Sequence, residues 1–303
     1  MSSVMKAPKG ILLMDKPKGI SSHGVVGKMR RHLNTKTIGH TGTLDPMATG
    51  LLVLLVGEYT RLSNYIMAQD KIYEAEITFG RSTDTDDAEG ETLEEVQMPV
   101  IERSALEKVL PQFVGIQMQT PPVFSAISID GERLYKKARR GEKIEVPPRQ
   151  IEIMDIQLLA LQAHQCSLRI HCSKGTYIRS VARDLGRALG GLAHLSGLRR
   201  VRTGCFDISQ SVDLETPVEQ MLAQMNNIKK RDLGLPVFDL EREQARDFVY
   251  GKVIPKANFI GLPTSMPALA CFGNEIWAIV DEKDGNVVVK RGFGKQIKDL
   301  EVL

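Results

Sequence analysis

The chain has 303 residues, 42% of them apolar and 25% charged, with a net charge of +3. That length suits one large domain, or one large and one small, and no apolar run approaches the roughly 18 residues of a membrane span. The N-terminal MSSVMKAPKG lacks the apolar core of a secretory signal, while Cys166, Cys172, Cys205 and Cys271 form neither a C-x-x-C pair nor a ligand-spaced cluster with histidine, which argues against a disulfide scaffold and a zinc site. These are the marks of a cytoplasmic protein with buried, unbridged thiols. A pI near 8.6 points weakly to nucleic acid.

Gly10–Met14 reads as a first strand, closed by the turn Asp15-Lys16-Pro17-Lys18-Gly19. Ser21 or Ser22 is placed to cap a helix, whose buried face is marked by Val25, Met29 and Leu33 at four-residue spacing. Lys28, Arg30, Arg31 and His32 make its other side basic, as a solvated face or an RNA contact would be. Next comes GHTGTLDPMATGLLVLLVGEYTR, residues 39–61. Gly39, Gly42 and Gly50 suit turns that a Cβ would resist, and Pro46 keeps Asp45 extended. Leu51–Val56 has the length of a buried strand, which Gly57 stops. The stretch thus holds one carboxylate in a stiff loop that feeds a core strand, although an Asp-Pro pair also starts ordinary turns.

Thr60–Ala68 reads as a helix. Lys71–Phe79 alternates as a half-buried strand, with Tyr73, Ala75, Ile77 and Phe79 on its apolar face. The acidic loop RSTDTDDAEG, residues 81–90, lacks the glycine a calcium-binding EF-hand needs at its sixth position, and reads as surface. Leu106, Val109, Leu110 and Phe113 set a helix over Ser104–Phe113. After QTPPVFSA (119–126) a short helix is expected over Glu132–Arg140. Arg133, Lys136, Lys137, Arg139, Arg140, Lys143 and Arg149 outnumber the acids around it, as in a phosphate-contacting arm.

Ile151–Leu161 and Cys166–Cys172 read as paired strands. In SKGTYIR (173–179) Thr176 is placed to cap a helix, along which Arg179, Arg183 and Arg187 form a cationic stripe. LSGLRRVRTGCF (195–206) adds Arg199, Arg200 and Arg202. A linker is expected over Asp232–Asp239. Beyond it, runs at Ala268–Phe272, Glu275–Val280 and Asn286–Lys290, separated by Gly273-Asn274 and Asp284-Gly285, suggest hairpins of a small, separable β-barrel.

GHTGTLDPMATG, QTPPVFSA, KGTYIR and LSGLRRVRTGCF together resemble the signatures of the TruB family of pseudouridine synthases, and DKPKGISS (15–22), the K-x-Y ending at Tyr73 and the acidic loop add to the match. The resemblance implies an α+β fold: a mixed, mainly antiparallel central sheet flanked by helices over residues 1–230, a thumb insert at about 122–150 that grips RNA, and a small PUA-like RNA-binding domain over 231–303. It implies isomerisation of uridine 55 in the T loop of tRNA, by base flipping and attack or proton abstraction by Asp45. Arg179 would pair with Asp45, and Tyr73 would stack on the base and relay the C5 proton. Tyr177 and Leu198 would close the pocket. His40 would fill the vacated place, and Lys16 would face the substrate. The reaction is an isomerisation, so no cofactor is implied, and the partner would be tRNA for a monomer. A guide-dependent pseudouridine synthase and a non-catalytic tRNA-binding protein stay open beside it. A glycosidase would want a second carboxylate near Asp45.

Overall fold

A computed structural model describes residues 7–125, 128–129, 132–133, 140, 146–228, 230–273, 275–295 and 300. In chain order the first strands are β1 (Gly10–Lys16), β2 (Ile38–His40), β3 (Thr49–Val56), β4 (Lys71–Phe79), β5 (Arg81–Thr83) and β6 (Thr92–Glu95). β7 (Gly115–Gln119), β8 (Ser128–Ile129), β9 (Glu132–Arg133), β10 (Arg149–Gln162), β11 (Gln165–Cys172), β12 (Ala193–Thr203) and β13 (Phe206–Asp207) follow. The last are β14 (Val237–Asp239), β15 (Ile254–Pro255), β16 (Ala268–Phe272), β17 (Glu275–Lys283) and β18 (Asn286–Gly292).

A nine-stranded sheet runs β1-β3-β12-β4-β11-β10-β7, with β2 beside β3 and β13 beside β12. Its pairings are antiparallel except β12 against β3, so it is the mixed, mainly antiparallel sheet expected. β3 owes its unbroken apolar run to burial on both faces. Leu52, Leu54 and Val56 pack with the helices Ser22–His32 and Val218–Asn227 through Val25, Met29, Met221 and Met225. Leu51, Val53 and Leu55 face the opposite way, onto Phe206, Leu233, Leu269, Ile279 and Phe293. A third cluster unites β4, β11 and β12 with the helix Ile178–Ala188 through Ile77, Leu168, Leu195, Val181 and Leu185.

The C-terminal strands form an open five-stranded sheet, β14-β16-β17-β18-β15, rather than a closed barrel. The segment expected as a linker contributes its edge strand β14, paired parallel to β16. One face of this sheet carries its own core around Phe238, Trp277 and Val280. The other supplies Leu269, Cys271, Ile276 and Ile279 to the cluster beneath β1 and β3. The two sheets therefore share a core, and separability is not what the packing shows. Elsewhere, Glu132 and Arg133 are strand, paired with Ser128–Ile129, and not helix. The remainder of the expected short helix, with Lys136, Lys137, Arg139 and Lys143, lies outside the described residues.

Candidate active site

A cleft of 1520 Å³ opens where the Asp45 loop, β4, β12 and the start of the helix Ile178–Ala188 meet. The Asp45 loop is pinned from behind. Ser21 caps the helix Ser22–His32 by accepting from Gly24 N at 3.0 Å. Ser22 instead holds the loop, because its hydroxyl accepts from Leu44 N at 2.8 Å and donates to Leu44 O at 3.0 Å. Asp45 then lies outside any helix, before the turn at Pro46-Met47, whose Ala48 N donates to Asp45 O at 3.1 Å. Lys16, expected at the substrate, is fully buried instead. Its ammonium donates to the carbonyls of Pro17, Ile20 and Pro46, so it braces the loop and takes no place on the cleft wall. Burial pushes its pKa down to about 8 against the pull of Asp45.

Arg179 is brought to Asp45 as expected, with Nε 3.1 Å from Oδ2. Its other donors are fixed as well: Nη1 donates to Thr85 O and Nη2 to Phe124 O, each at 2.9 Å. A guanidinium held at three points keeps the carboxylate's orientation. Burial raises the Asp45 pKa; Arg179 pulls it back, the neighbouring Asp87 pushes it further up, and Lys16 lowers it. The Asp45 side chain still keeps 36% of its surface open, against 7% for Arg179.

Asp87 corrects the surface reading of the acidic loop. It is 4% exposed, lies 3.5 Å from Arg179 Nη1, and accepts from the Thr85 hydroxyl at 2.6 Å and from Glu89 N at 3.0 Å. Asp86 pairs with Arg183 at 2.9 Å. The loop is thus folded onto the helix, and the cationic stripe is neutralised: Arg179 faces Asp45 and Asp87, Arg183 faces Asp86 and Asp184, and Arg187 faces Asp184. Spacing revealed the stripe but not the acids opposite it, most of which come from loops far away in sequence.

Tyr73, Tyr177, Leu198 and His40 all line the cleft. Tyr177 occupies the helix N-cap position in place of Thr176, whose hydroxyl donates to Ser173 O at 3.0 Å. The Tyr177 backbone is clamped by buried Gln119, which accepts from its N–H at 2.9 Å and donates to its carbonyl at 3.1 Å. Gln119 was legible only as one letter of a motif. Burial, with His23 and Arg200 adding to it, lowers the His40 pKa, so its ring is neutral at pH 7. Among the described residues no group of His, Cys, Asp and Glu is arranged to hold a metal.

Residues 30–178 match the family model described as TruB family pseudouridylate synthase (N terminal domain), and residues 179–241 match the tRNA pseudouridylate synthase B C-terminal domain. The chain is 37% identical over 295 residues to the tRNA pseudouridine synthase B of Francisella philomiragia subsp. philomiragia, covering 95% of this chain and 96% of the relative. It is 48% identical over 213 residues to that of Stutzerimonas stutzeri, covering 70% of each. Among solved structures it resembles a chain of a Cbf5-Nop10-Gar1 complex, with a TM-score of 0.70 at 22% identity over 98% of this chain and 88% of the other, which is a likeness of fold.

Proposed function

The chain belongs to the TruB family of pseudouridylate synthases, and from that premise we propose how its cleft performs the reaction and on which uridine. The protein forms pseudouridine in tRNA, as its relatives' names state; the guide-dependent and non-catalytic readings are not favoured. The target is uridine 55 of the T loop. The reaction breaks N1–C1′ and joins C5 to C1′, so nothing is oxidised or reduced and no cofactor is called for.

A carboxylate must reach the ribose or the base, and Asp45 is that group. The observation that carries this is its pairing: the carboxylate is oriented by a three-point guanidinium yet stays open to the cleft. The base has to leave its stack to arrive there. Tyr73 stacks on it, Tyr177 and Leu198 close over it, and neutral His40 fills the space it left. The thumb at about 122–150 and the PUA-like sheet within 231–303 grip the remainder of the tRNA. The protein acts as a monomer, in the cytoplasm where tRNA is modified. The test is to incubate the protein with unmodified tRNA and no added cofactor and to map pseudouridine. Product at position 55 is expected. Product only elsewhere would sink the site assignment, and no product would sink the enzyme.

A further inference from the structure

None of these roles uses Arg200. It lies on β12 directly across from Tyr73 on β4, so the two side chains rise from one face of the sheet as close cross-strand neighbours, and both line the cleft. Arg200 is only 3% exposed. Its Nε donates to Leu51 O at 2.7 Å and its Nη2 to Gly42 O at 3.1 Å, and its positive charge acts on the Tyr73 phenol of the strand beside it, favouring the ionised form. The loop is shaped around it. Gly50, at φ +100°, would place a Cβ 2.3 Å from Arg200 O, and Gly42, at φ +151°, would place one 3.3 Å from Nη1. The Asp45 loop, the strand that follows it and Tyr73 thus meet at Arg200.

The geometry points to Arg200 as the positioning residue for proton transfer at C5: it fixes the Tyr73 oxygen in the cleft and stabilises the phenolate that takes the C5 proton. This rests on the reading of Tyr73 as the residue under the base. Once C1′ is joined to C5, that carbon still carries its hydrogen, and the ring holds N1=C6. The C5–H bond breaks and its pair forms C5=C6. The N1=C6 pair moves onto N1, which takes a proton from water. Tyr73 receives the C5 proton as phenolate, having first released its own proton to water, so the protons balance.

A phenolate in this cleft needs a fixed counter-charge. Burial pushes the Tyr73 ionisation up, and Cys172 and Asp45 push the same way; Arg200 opposes them. The Cys172 thiol, raised to about 12, stays protonated. Lys71, next on the same face of β4, is lowered to about 8 and donates to the carbonyls of Met67 and Gln69. A guanidinium suits the post because its fork is fixed by two carbonyls while its charge stays beside the phenol, which an ammonium on a flexible stem does poorly.

The test is single-turnover conversion of tRNA carrying C5-deuterated or ordinary uridine across a pH series, for the parent, Arg200→Gln, Arg200→Lys, Tyr73→Phe and Arg200→Gln with Tyr73→Phe. Arg200→Gln should slow conversion about 10- to 100-fold at neutral pH, the loss expected from one charge-assisted hydrogen bond. Its C5 isotope effect should exceed the parent's, and its rate should recover as pH rises and the phenolate forms unaided. Arg200→Lys should fall between the two, and it supplies the same readouts if Arg200→Gln is not recovered folded. In the Tyr73→Phe background Arg200→Gln should cost nothing more. A slower Arg200 variant with the parent's isotope effect and pH profile would make Arg200 a loop brace only. So would an equal loss in the Tyr73→Phe background, and a Tyr73→Phe protein as fast as the parent would overturn the step itself. A parent that makes no pseudouridine would instead overturn the functional reading beneath it.

Discussion

Asp45 shows a conflict between stability and chemistry in a single side chain. Its folded pKa is raised, chiefly by burial, so the folded state holds the proton more tightly than the unfolded chain does. Stability from this group is present at low pH and is lost as pH rises from the ordinary carboxylate value through the folded one. At neutral pH the ionised form that the reaction needs is therefore the costly one. Asp45→Asn should leave tRNA affinity near the parent's, because phosphates and shape dominate binding. It should lower the single-turnover rate more than about 10³-fold, with a Tm no lower than the parent's. A rate near the parent's would make Asp45 a turn residue. The same causes set the pH profile. The acid limb of the single-turnover rate should lie above about pH 4, the ordinary Asp value. Asp87→Asn removes a like charge and should move that limb to lower pH, whereas Arg179→Gln removes the opposing charge and should move it higher. Shifts of the opposite sign would refute the electrostatic account.

At the scale of elements, the decisive contacts join segments through backbone groups. Gln119 ends β7 and fastens to both polar groups of Tyr177, while Ser180 and Arg183 donate to Thr120 O and Arg179 to Phe124 O. The PPVF segment is thereby tied to the first turns of the helix that presents Arg179. Gln119→Ala would leave the Tyr177 N–H without its partner, while the Tyr177 carbonyl keeps the N–H of Val181, and should cost about 0.5–1.5 kcal/mol of stability, read as a lower denaturant midpoint at unchanged m. A neutral result would show that water replaces the amide there. For the basic arm, neutralising Lys136, Lys137, Arg139 and Arg140 together should flatten the salt dependence of tRNA binding. The expected change is about 0.7–0.9 in the log–log slope for each phosphate the arm no longer neutralises, and an unchanged slope would remove the arm from the interface.

Across the whole molecule, β1 and β3 are sandwiched between helices on one side and the C-terminal sheet on the other. Ion pairs and carbonyl contacts line the same seam: Lys9 and Lys295 both reach Glu275, Arg61 donates to Gly292 O and sits over the Phe293 ring, and Lys230 donates to Gly273 O. A chain ending at Lys230 would uncover Ile11, Leu13, Leu51, Val53 and Leu55. Each fully buried aliphatic side chain contributes roughly 1.5–3 kcal/mol, and a domain's whole margin is only about 5–15 kcal/mol. The shortened chain should therefore bind a hydrophobic dye and lose its cooperative melt. A sharp melt near the parent's would restore the picture of a separable module. Asp45 stands just before the strand that this seam supports, so activity should disappear together with the melt.

Local order was legible in the sequence alone. The alternation of Lys71–Phe79, the helix face of Val25 and Met29, the buried run of β3 and the turn at Asp45 are each set by near neighbours along the chain. The motifs around Asp45, Tyr73, Tyr177, Arg179 and Leu198 also named residues that the fold does bring to one cleft. What the tertiary structure alone decided is which charges meet. Lys16 reads as a group facing the substrate until three carbonyls surround it, and Arg183 reads as part of a cationic stripe until Asp86 faces it. Asp87 reads as surface until it closes on Arg179. Arg200, one of three arginines in a basic run, becomes the floor of the cleft only because β12 lies between β3 and β4. Hydrophobic period repeats over a few residues and is written in sequence, whereas a charge takes its meaning from a partner at any separation, and for Arg200 that partner lies as far as 158 residues away along the chain.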